Sequence, residues 1–201
     1  MGDIKIAHDL VSLNSFSSSF DYFKKISSFG EAQQVFALEK KLHINAFLFS
    51  IKEAAYKVMT KSGFNKAFAP RKFRILSING KKDFINEFEG IVLYEDVEIF
   101  FTTIPDQGFC LSIAGSEQFI RHKLIINTTF YEELTAENQS EIARQQLITM
   151  FTGQSTYSNN ISIIKSNNGV PYAYAGQNAI PYEISVSHDG QYVSTLIYKN
   201  E

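Results

Sequence analysis

The sequence predicts an α+β protein in which helices and antiparallel strands follow one another in two successive blocks. Apolar residues at helical spacing precede strand-like runs in the first part of the chain, and a second helix with further strand-like runs fills the rest. The chain has 201 residues, 44% of them hydrophobic, which suffices for one domain or for two small ones of about 100 residues. We expect two subdomains, residues 1–115 and 116–201, each with a small antiparallel sheet packed against a long helix.

The first block begins with a short buried strand. Its apolar residues include Ile6 and Leu10, and Asp9 lies within it or at its end. Helical spacing then extends from Phe20 to Tyr56, and Gly63 marks a helix stop. The apolar residues at this spacing include Val35, Leu38 and Leu42, and again Phe47, Ile51 and Ala54. Three runs rich in β-branched and aromatic residues follow at residues 73–78, 97–103 and 109–113, with a turn signal at residues 105–108.

The second block repeats the order of helix and strands. A strand is expected at residues 123–129 and a helix at residues 137–151. Further strands are expected at residues 161–165, 182–187 and 192–198. The two blocks differ in charge, since residues 1–115 carry 14 basic and 13 acidic side chains, whereas the remainder carries 5 and 8.

Charge and cysteine content exclude several classes of protein. With 19 basic and 21 acidic residues the net charge is −2, which argues against a nucleic-acid partner. The single cysteine, Cys110, cannot form an internal disulfide, and no cysteine and histidine cluster has structural-zinc spacing. The first residues lack the apolar region of a signal peptide, and no run of about 18 apolar residues could span a membrane. We therefore expect a cytoplasmic protein with no membrane partner.

The most informative motif is the helical stretch at residues 49–57, Phe-Ser-Ile-Lys-Glu-Ala-Ala-Tyr-Lys. Glu53 and Lys57 are four residues apart and share one helix face. This spacing alone is typical of a solvent-exposed ion pair worth a few tenths of a kcal/mol. The apolar neighbours Phe47 and Ile51 favour a second interpretation, in which a carboxylate and an ammonium beside a buried stripe hold a divalent cation and an anionic ligand.

A second candidate site lies in the other half of the chain. Gly169 and Pro171 mark a tight turn, and residues 184–188 read as a strand with a polar end. Ser187 and His188 could bind phosphate there, since hydroxyl, imidazole and backbone N–H groups all donate hydrogen bonds. The alternative is a structural or merely exposed histidine. A nucleophile and base couple is disfavoured, because neighbours on a strand point to opposite faces.

Asp9, near the end of the first strand, is compatible with an N-cap or with a metal ligand. In combination with the other motifs, it makes the chain resemble the 4′-phosphopantetheinyl transferase superfamily. The signatures of that family are a glycine-x-aspartate element, an aromatic-x-x-Lys-Glu-Ala-x-x-Lys helix, a glycine-x-proline turn and an Ile-Ser-x-Ser-His strand end. They correspond here to residues 7–9, 49–57, 169–171 and 184–188, so the resemblance covers essentially the whole chain.

The order of the motifs differs from that in the long, surfactin-type members, where the Ser-His half comes first. The resemblance therefore implies a circular permutation of two similar subdomains related by a pseudo-twofold axis, and a monomer. The short holo-acyl-carrier-protein synthases share the motif order of this chain but build their site between subunits of a trimer. Matching them would require a large insertion between Lys57 and Gly169.

The resemblance implies transfer of 4′-phosphopantetheine from coenzyme A to a serine of an acyl, polyketide or peptidyl carrier protein, with Mg²⁺ as cofactor. Asp9 and Glu53 would ligate the metal. Glu53 would also be the candidate base, and Lys57 would contact the diphosphate. The resemblance assigns the coenzyme A nucleotide to residues of the other half: Arg144, Gly169, Pro171, Ser187 and His188.

Four positions depart from the family pattern. Ala7 replaces the glycine, Val11 a second acidic ligand, Val170 a lysine and Phe49 a tryptophan. Loss of the acidic and lysine positions motivates an alternative function. In that alternative the chain is a catalytically silent relative that binds coenzyme A or a carrier protein as a scaffold.

A basic interval follows the catalytic helix. No acidic residue lies between Lys57 and Lys82, and the interval contains eight basic ones, Lys57, Lys61, Lys66, Arg71, Lys72, Arg74, Lys81 and Lys82. Such a segment could receive an acidic helix of the carrier protein and raise the encounter rate. The other interpretation is a solvated basic face without a partner.

Overall fold

The computed structural model confirms the α+β class and describes residues 4–14, 16, 19–28, 30–31, 43–80, 87–119, 121–154 and 160–200. Its α-helices are α1 (Phe20–Ile26), α2 (Ile44–Lys61) and α3 (Gln139–Thr152). The strands form antiparallel sheets of five, three and three strands. None of these described helices combines the length and apolar character needed to cross a membrane.

The described strands before residue 116 all belong to one sheet, whose order is β1-β5-β4-β3-β2. They are β1 (Ile6–Ser12), β2 (Phe73–Gly80), β3 (Phe88–Tyr94), β4 (Val97–Pro105) and β5 (Phe109–Gly115). α2 covers one face because its apolar residues recur every three or four positions, at Phe47, Ile51, Ala54, Ala55 and Val58. Each fully buried Phe or Ile contributes about 1.5–3 kcal/mol, so this layer anchors the helix that carries residues 49–57 firmly to the sheet.

The strands after residue 116 form two smaller sheets. One has the order β10-β11-β6, with β6 (Leu124–Phe130), β10 (Tyr182–Asp189) and β11 (Tyr192–Lys199). The other has the order β7-β8-β9, with β7 (Ile161–Lys165), β8 (Pro171–Ala175) and β9 (Asn178–Ala179). α3 joins them, because its Leu147 and Phe151 are buried in one core with Ala173 of β8 and Ile184 of β10.

The helical stretch expected over residues 20–56 is interrupted after Ile26, and helical backbone recurs at Gly30 and Glu31 and again from Ile44. α1 ends at Ile26, because Ser27 has an extended backbone and its hydroxyl donates to the carbonyl of Phe23 at 2.7 Å. α2 begins after His43. The expected apolar positions Val35, Leu38 and Leu42 lie outside the described residues.

β3, β8 and the two-residue β9 were not predicted from the sequence. β3 contains Glu89 and Gly90, and β8 begins at Pro171, and all three residue types are depleted in strands. The expected turn at residues 105–108 is confirmed, since the N–H of Asp106 donates to the carbonyl of Phe109 at 2.8 Å. Local signals thus located turns and strongly apolar strands but missed strands of mixed composition.

The two parts of the chain meet at a seam where β1 lies beside β10. Each is an edge strand of its own sheet, and the two run in the same direction. Side chains replace the usual backbone ladder: the N–H groups of His8, Leu10 and Ser12 donate to side-chain oxygens of Ser185, Ser187 and Asp189, at 3.1, 3.0 and 2.8 Å. This seam brings the first block's aspartate motif next to the second block's Ile-Ser-x-Ser-His strand.

Candidate functional site

α2 places the Lys-Glu-Ala motif over the seam. Lys57 Nζ lies 2.6 Å from Asp9 Oδ1 and 3.8 Å from Glu53 Oε1. Ser187 Oγ donates to the same Asp9 oxygen at 2.8 Å and accepts from Lys57 at 3.4 Å. The structure therefore brings together four of the predicted site residues, which come from both halves of the chain.

The four groups differ in their access to solvent. The Asp9 side chain is 5% exposed, whereas those of Lys57 and Glu53 are 27% and 30% exposed. Ser187 is buried. Asp9 is thus a buried anion held by two donors, while Glu53 and Lys57 form the surface that a ligand can reach.

The proton affinities of Glu53 and Lys57 are both raised. Burial raises the pKa of Glu53 from 4.5 to about 7, the charges of Asp9 and Asp189 add to this increase, and Lys57 opposes it. Burial acts to lower the pKa of Lys57, but the Asp9 and Glu53 carboxylates outweigh it, and the pKa of Lys57 is raised. Glu53 can therefore exchange a proton near neutral pH beside a lysine that remains cationic.

A cleft of about 230 Å³ opens beside Lys57, between α2, β10 and the turn that joins β7 to β8. It is lined by Tyr56, Lys57, Thr60, Lys61, residues 168–171, Ser185 and Val186. Gly169 closes the turn with a φ of +76°, and its N–H donates to the carbonyl of Ser166 at 2.9 Å. An added Cβ would meet no atom within 4 Å, so this glycine is required by backbone conformation and not by space.

Three of the predicted nucleotide ligands, Ser187, His188 and Arg144, do not line this cleft. His188 is the last residue but one of β10 and lies on the face opposite Ser187, and burial together with the charges of Lys57 and Lys165 lowers its pKa. Arg144 is exposed on α3, where its guanidinium donates to Glu141 at 2.5 Å. Gly169 and Pro171, by contrast, form part of the cleft wall.

The oxygen donors at the site fit a hard cation. The Asp9 and Glu53 carboxylates share the Lys57 ammonium, at 2.6 and 3.8 Å, so the two oxygens are at most 6.4 Å apart. Mg²⁺ usually takes one or two protein carboxylates and completes its shell with water and phosphate oxygens. Across the described part of the chain, no group of three or more His, Cys, Asp or Glu is placed to hold a metal ion. The site therefore offers a hard cation two carboxylate groups as protein ligands.

An ion pair that closes the seam was not predicted from the sequence. Lys61 Nζ donates to Glu183 Oε2 at 2.8 Å and to the carbonyl oxygens of Ile6 and Ile184. These three bonds use all three N–H groups of the ammonium and connect β1 directly to β10. The available signal was the four-residue spacing from Lys57, which places both lysines on one face of α2.

Comparisons with known proteins do not add to this geometry. No protein-family model matches the chain, and no significant match is found among curated proteins or among solved structures. The interpretation of the site therefore depends on its residues and their contacts, together with the motif resemblance.

Proposed function

We propose that the chain transfers 4′-phosphopantetheine from coenzyme A to a serine hydroxyl of a carrier protein. The observation that supports this best is the meeting of Asp9, Glu53 and Lys57 with Ser187, which is 178 residues from Asp9 in the sequence. Displacement at a diphosphate requires a base for the incoming hydroxyl and positive charge near the leaving group. The site offers a carboxylate with a raised pKa and a lysine beside an open cleft.

The proposal includes two similar subdomains, residues 1–115 and 116–201, related by a pseudo-twofold axis in circularly permuted order. Two features support this architecture. Described strands before residue 116 share one sheet, strands after it form the other two, and each block has a long helix on a sheet face. β1 and β10 run parallel at the junction, as two strands related by a twofold axis along their own direction would.

Within the site, Glu53 is the candidate base, since a pKa of about 7 suits proton transfer near neutral pH. Asp9 and Glu53 would hold Mg²⁺, which when bound neutralises charge on the diphosphate. Ser187 keeps Asp9 oriented through its hydrogen bond. Lys57 is the partly exposed cation beside the cleft and would contact the diphosphate.

Coenzyme A would bind in and around the cleft beside Lys57. The cleft volume of about 230 Å³ is below the range of about 300–1,000 Å³ that drug-sized ligands fill, so it would hold one portion of coenzyme A. Gly169 and Pro171 shape its wall. His188 and Lys165, which lie close enough for the lysine charge to lower the histidine pKa, would meet phosphate groups outside the cleft.

The carrier protein would dock on exposed cations that follow α2. These are Lys66, Arg71, Lys72 and Arg74. Lys57 and Lys61 face the seam and would not contact an acidic helix directly, and Lys81 and Lys82 lie outside the described residues. Exposed positive charge beside the site would raise the encounter rate with an acidic carrier helix in the cytoplasm. All proposed site residues come from one chain, so a single copy would be the catalytic unit.

One observation favours a second candidate function, that of a catalytically silent scaffold that binds coenzyme A or a carrier protein. Lys57 lies only 2.6 Å from Asp9 and also within ion-pair distance of Glu53. Its ammonium thus already neutralises the carboxylates that would hold a metal. A site closed by its own ion pair could bind a phosphate ligand without turning it over.

The test is to incubate the purified chain with coenzyme A, Mg²⁺ and an apo carrier protein, and to measure the intact mass of the carrier. Addition of phosphopantetheine is the expected result. Glu53→Gln removes the base while keeping the side-chain shape, and should reduce turnover by about 10²–10⁴-fold. Glu98→Gln, at an exposed glutamate on β4, is the matched control and should keep full activity.

Absence of mass gain on a carrier that a known transferase does modify would rule out the transferase. Calorimetry with coenzyme A and with the carrier would then test the scaffold function. In that case Glu53→Gln should leave binding nearly unchanged.

A further inference from the structure

Among the described strands, β6 is an edge strand with no partner strand on its outer side. Within the described residues it pairs with β11 alone, and no bulge interrupts their register. Its seven residues, Leu-Ile-Ile-Asn-Thr-Thr-Phe, include no charged side chain and no proline. Soluble proteins normally protect such edges, because a row of unpaired N–H and C=O groups is a template for another strand.

The other described edges are protected in recognisable ways. β2 carries Arg74 and has a register shift between Ile75 and Ser77. β7 ends in Lys165, and β9 has only two residues. The edges of β1 and β10 meet each other at the seam. Among the strands that the structure describes, β6 is therefore the unprotected edge.

We propose that β6 pairs with β6 of a second copy of this chain. The pairing is antiparallel and joins two three-stranded sheets into one of six strands. In the register centred on Asn127, the pairs across the interface are Leu124 with Phe130, Ile125 with Thr129 and Ile126 with Thr128. Phe130, whose side chain is 50% exposed in one copy, gains an apolar partner, and the β-branched pairs are of the kind that stabilise sheets.

The flanks of β6 favour a second copy and the antiparallel direction. The short 3-10 turn before the strand is Arg121–Lys123, and two glutamates, Glu132 and Glu133, follow the strand closely. Antiparallel pairing about Asn127 brings the flank of each copy that contains Arg121 and Lys123 beside Glu132 and Glu133 of the other. Parallel pairing would bring like charges together at both ends. The edge is thus complementary to itself in charge.

This pairing leaves the candidate site unobstructed. β6 and β10 are opposite edges of the same sheet, and β10 carries Ser187 at the seam. The motif resemblance implied a monomer because one chain supplies a complete site. The dimer keeps that one-chain site and does not rest on the proposed function.

The test is the mass in solution, measured by light scattering on a size-exclusion column and by sedimentation equilibrium. The wild-type chain should show twice the 22.8 kDa of one copy. Asn127→Lys places two lysines opposite each other at the centre of the interface and should raise the dissociation constant at least about tenfold. Asn127→Asp should do the same with two carboxylates.

An equimolar mixture of the Asn127→Lys and Asn127→Asp chains should restore a dimer, because opposite charges then face each other. Ile164→Lys, at an exposed position on edge strand β7, is the matched control and should remain dimeric. Circular dichroism and thermal melting identify a variant that fails to fold, and each of the two Asn127 substitutions tests the interface independently. A monomeric wild type at its highest soluble concentration, a dimer that survives both substitutions, or a mixture that stays monomeric would overturn the proposal.

Discussion

Two lysines of α2 each form an ion pair with a carboxylate from another segment, and the two pairs differ in whether a ligand can reach them. Lys52 pairs with Glu31 at 2.8 Å, and both side chains are fully buried. Lys57 pairs with Asp9 at 2.6 Å, but it reaches the cleft and shares Asp9 with Ser187. Both lysines belong to the same nine-residue motif, and they leave the helix on different faces.

The Lys52–Glu31 pair, the sealed pair, makes its remaining hydrogen bonds within the protein. Lys52 also donates to the carbonyl of Ile26 at 2.7 Å, and Glu31 also accepts from the N–H of Ile75 at 2.7 Å. The pair therefore ties α1, α2 and β2 together and has no capacity left for a ligand. In the Lys57–Asp9 pair, the open pair, Lys57 contacts Asp9 on β1 and Ser187 on β10, one on each side of the seam. Because Lys57 also lines the cleft, a change in its charge alters the electrostatic potential at a ligand there.

The largest effect is expected from breaking the sealed pair. Lys52→Met keeps the apolar stem but leaves Glu31 as a buried anion without its cation, which should cost about 3–5 kcal/mol of the free energy of unfolding. Urea denaturation measures this loss. Lys57→Met is the matched variant, and it should cost only about 1–2 kcal/mol, because Ser187 still donates to Asp9. Equal losses in the two variants would contradict the distinction between sealed and open pairs.

The same contrast shows how far spacing alone can predict a site. Glu53 and Lys57 were recognisable as a pair because they are four residues apart on one helix face. Glu31, the partner of Lys52, is 21 residues away and belongs to another segment. Nothing in a local pattern distinguishes a lysine that faces a core from one that faces a cleft, because that depends on which strands and helices pack against each face.

The fold shows the same limit. α2, α3, β5 and β11 follow from periodicity and β propensity, since each has a continuous buried face. The seam could not be predicted from such patterns. It depends on Ser185, Ser187 and Asp189, and polar residues at alternate positions are typical of the solvent-facing side of any strand. The motif resemblance assigned Ser187 to the coenzyme A nucleotide, so its hydrogen bond to Asp9 was not predicted. The Lys61–Glu183 pair that holds the seam was not predicted either.

His8 on β1 is also fully buried, and it makes the free energy of unfolding depend on pH. Burial lowers the pKa of His8 from 6.5 to about 3, and the charge of Lys57 adds to this decrease, while the backbone of Ser194 opposes it. Between these values the unfolded chain binds a proton that the folded chain does not, so stability falls as the pH falls. The loss is about 1.4 kcal/mol per pH unit, or about 2 kcal/mol by pH 5.

Between about pH 7 and pH 5, the free energy of unfolding of His8→Leu should therefore fall by about 2 kcal/mol less than that of the wild type. Urea denaturation with a chelator present measures this difference. His43→Leu, at an exposed histidine that precedes α2 and makes no side-chain cap hydrogen bond, should follow the wild-type pH dependence. If the free energy of unfolding changed with pH equally in His8→Leu and the wild type, the pKa of His8 would not be lowered in the folded chain.

Glu53, which is partly exposed, should make the free energy of unfolding depend on pH in the opposite direction to His8 and by a smaller amount. Its pKa is raised to about 7, so the folded chain gains stability from its protonated form below pH 4.5 and loses that gain as the pH rises through 7. Without metal, Glu53→Gln should be about 1 kcal/mol more stable than the wild type at pH 8, a value reduced by its partial exposure. The difference should vanish near pH 4. A less stable Glu53→Gln at pH 8 would mean that attraction to Lys57 outweighs burial.

The smallest effect on stability is expected at Arg144 and Glu141, whose paired side chains are both about half exposed on α3. Either Arg144→Gln or Glu141→Gln should change the free energy of unfolding by less than about 0.5 kcal/mol. Their effects on coenzyme A affinity, measured by calorimetry, should nevertheless differ in sign. If Arg144 turns to a phosphate, as the resemblance implies, Arg144→Gln weakens binding and Glu141→Gln strengthens it by removing the competing carboxylate. If both variants bind like the wild type, Arg144 belongs to the surface and the nucleotide contacts are limited to the cleft and the adjoining strand ends.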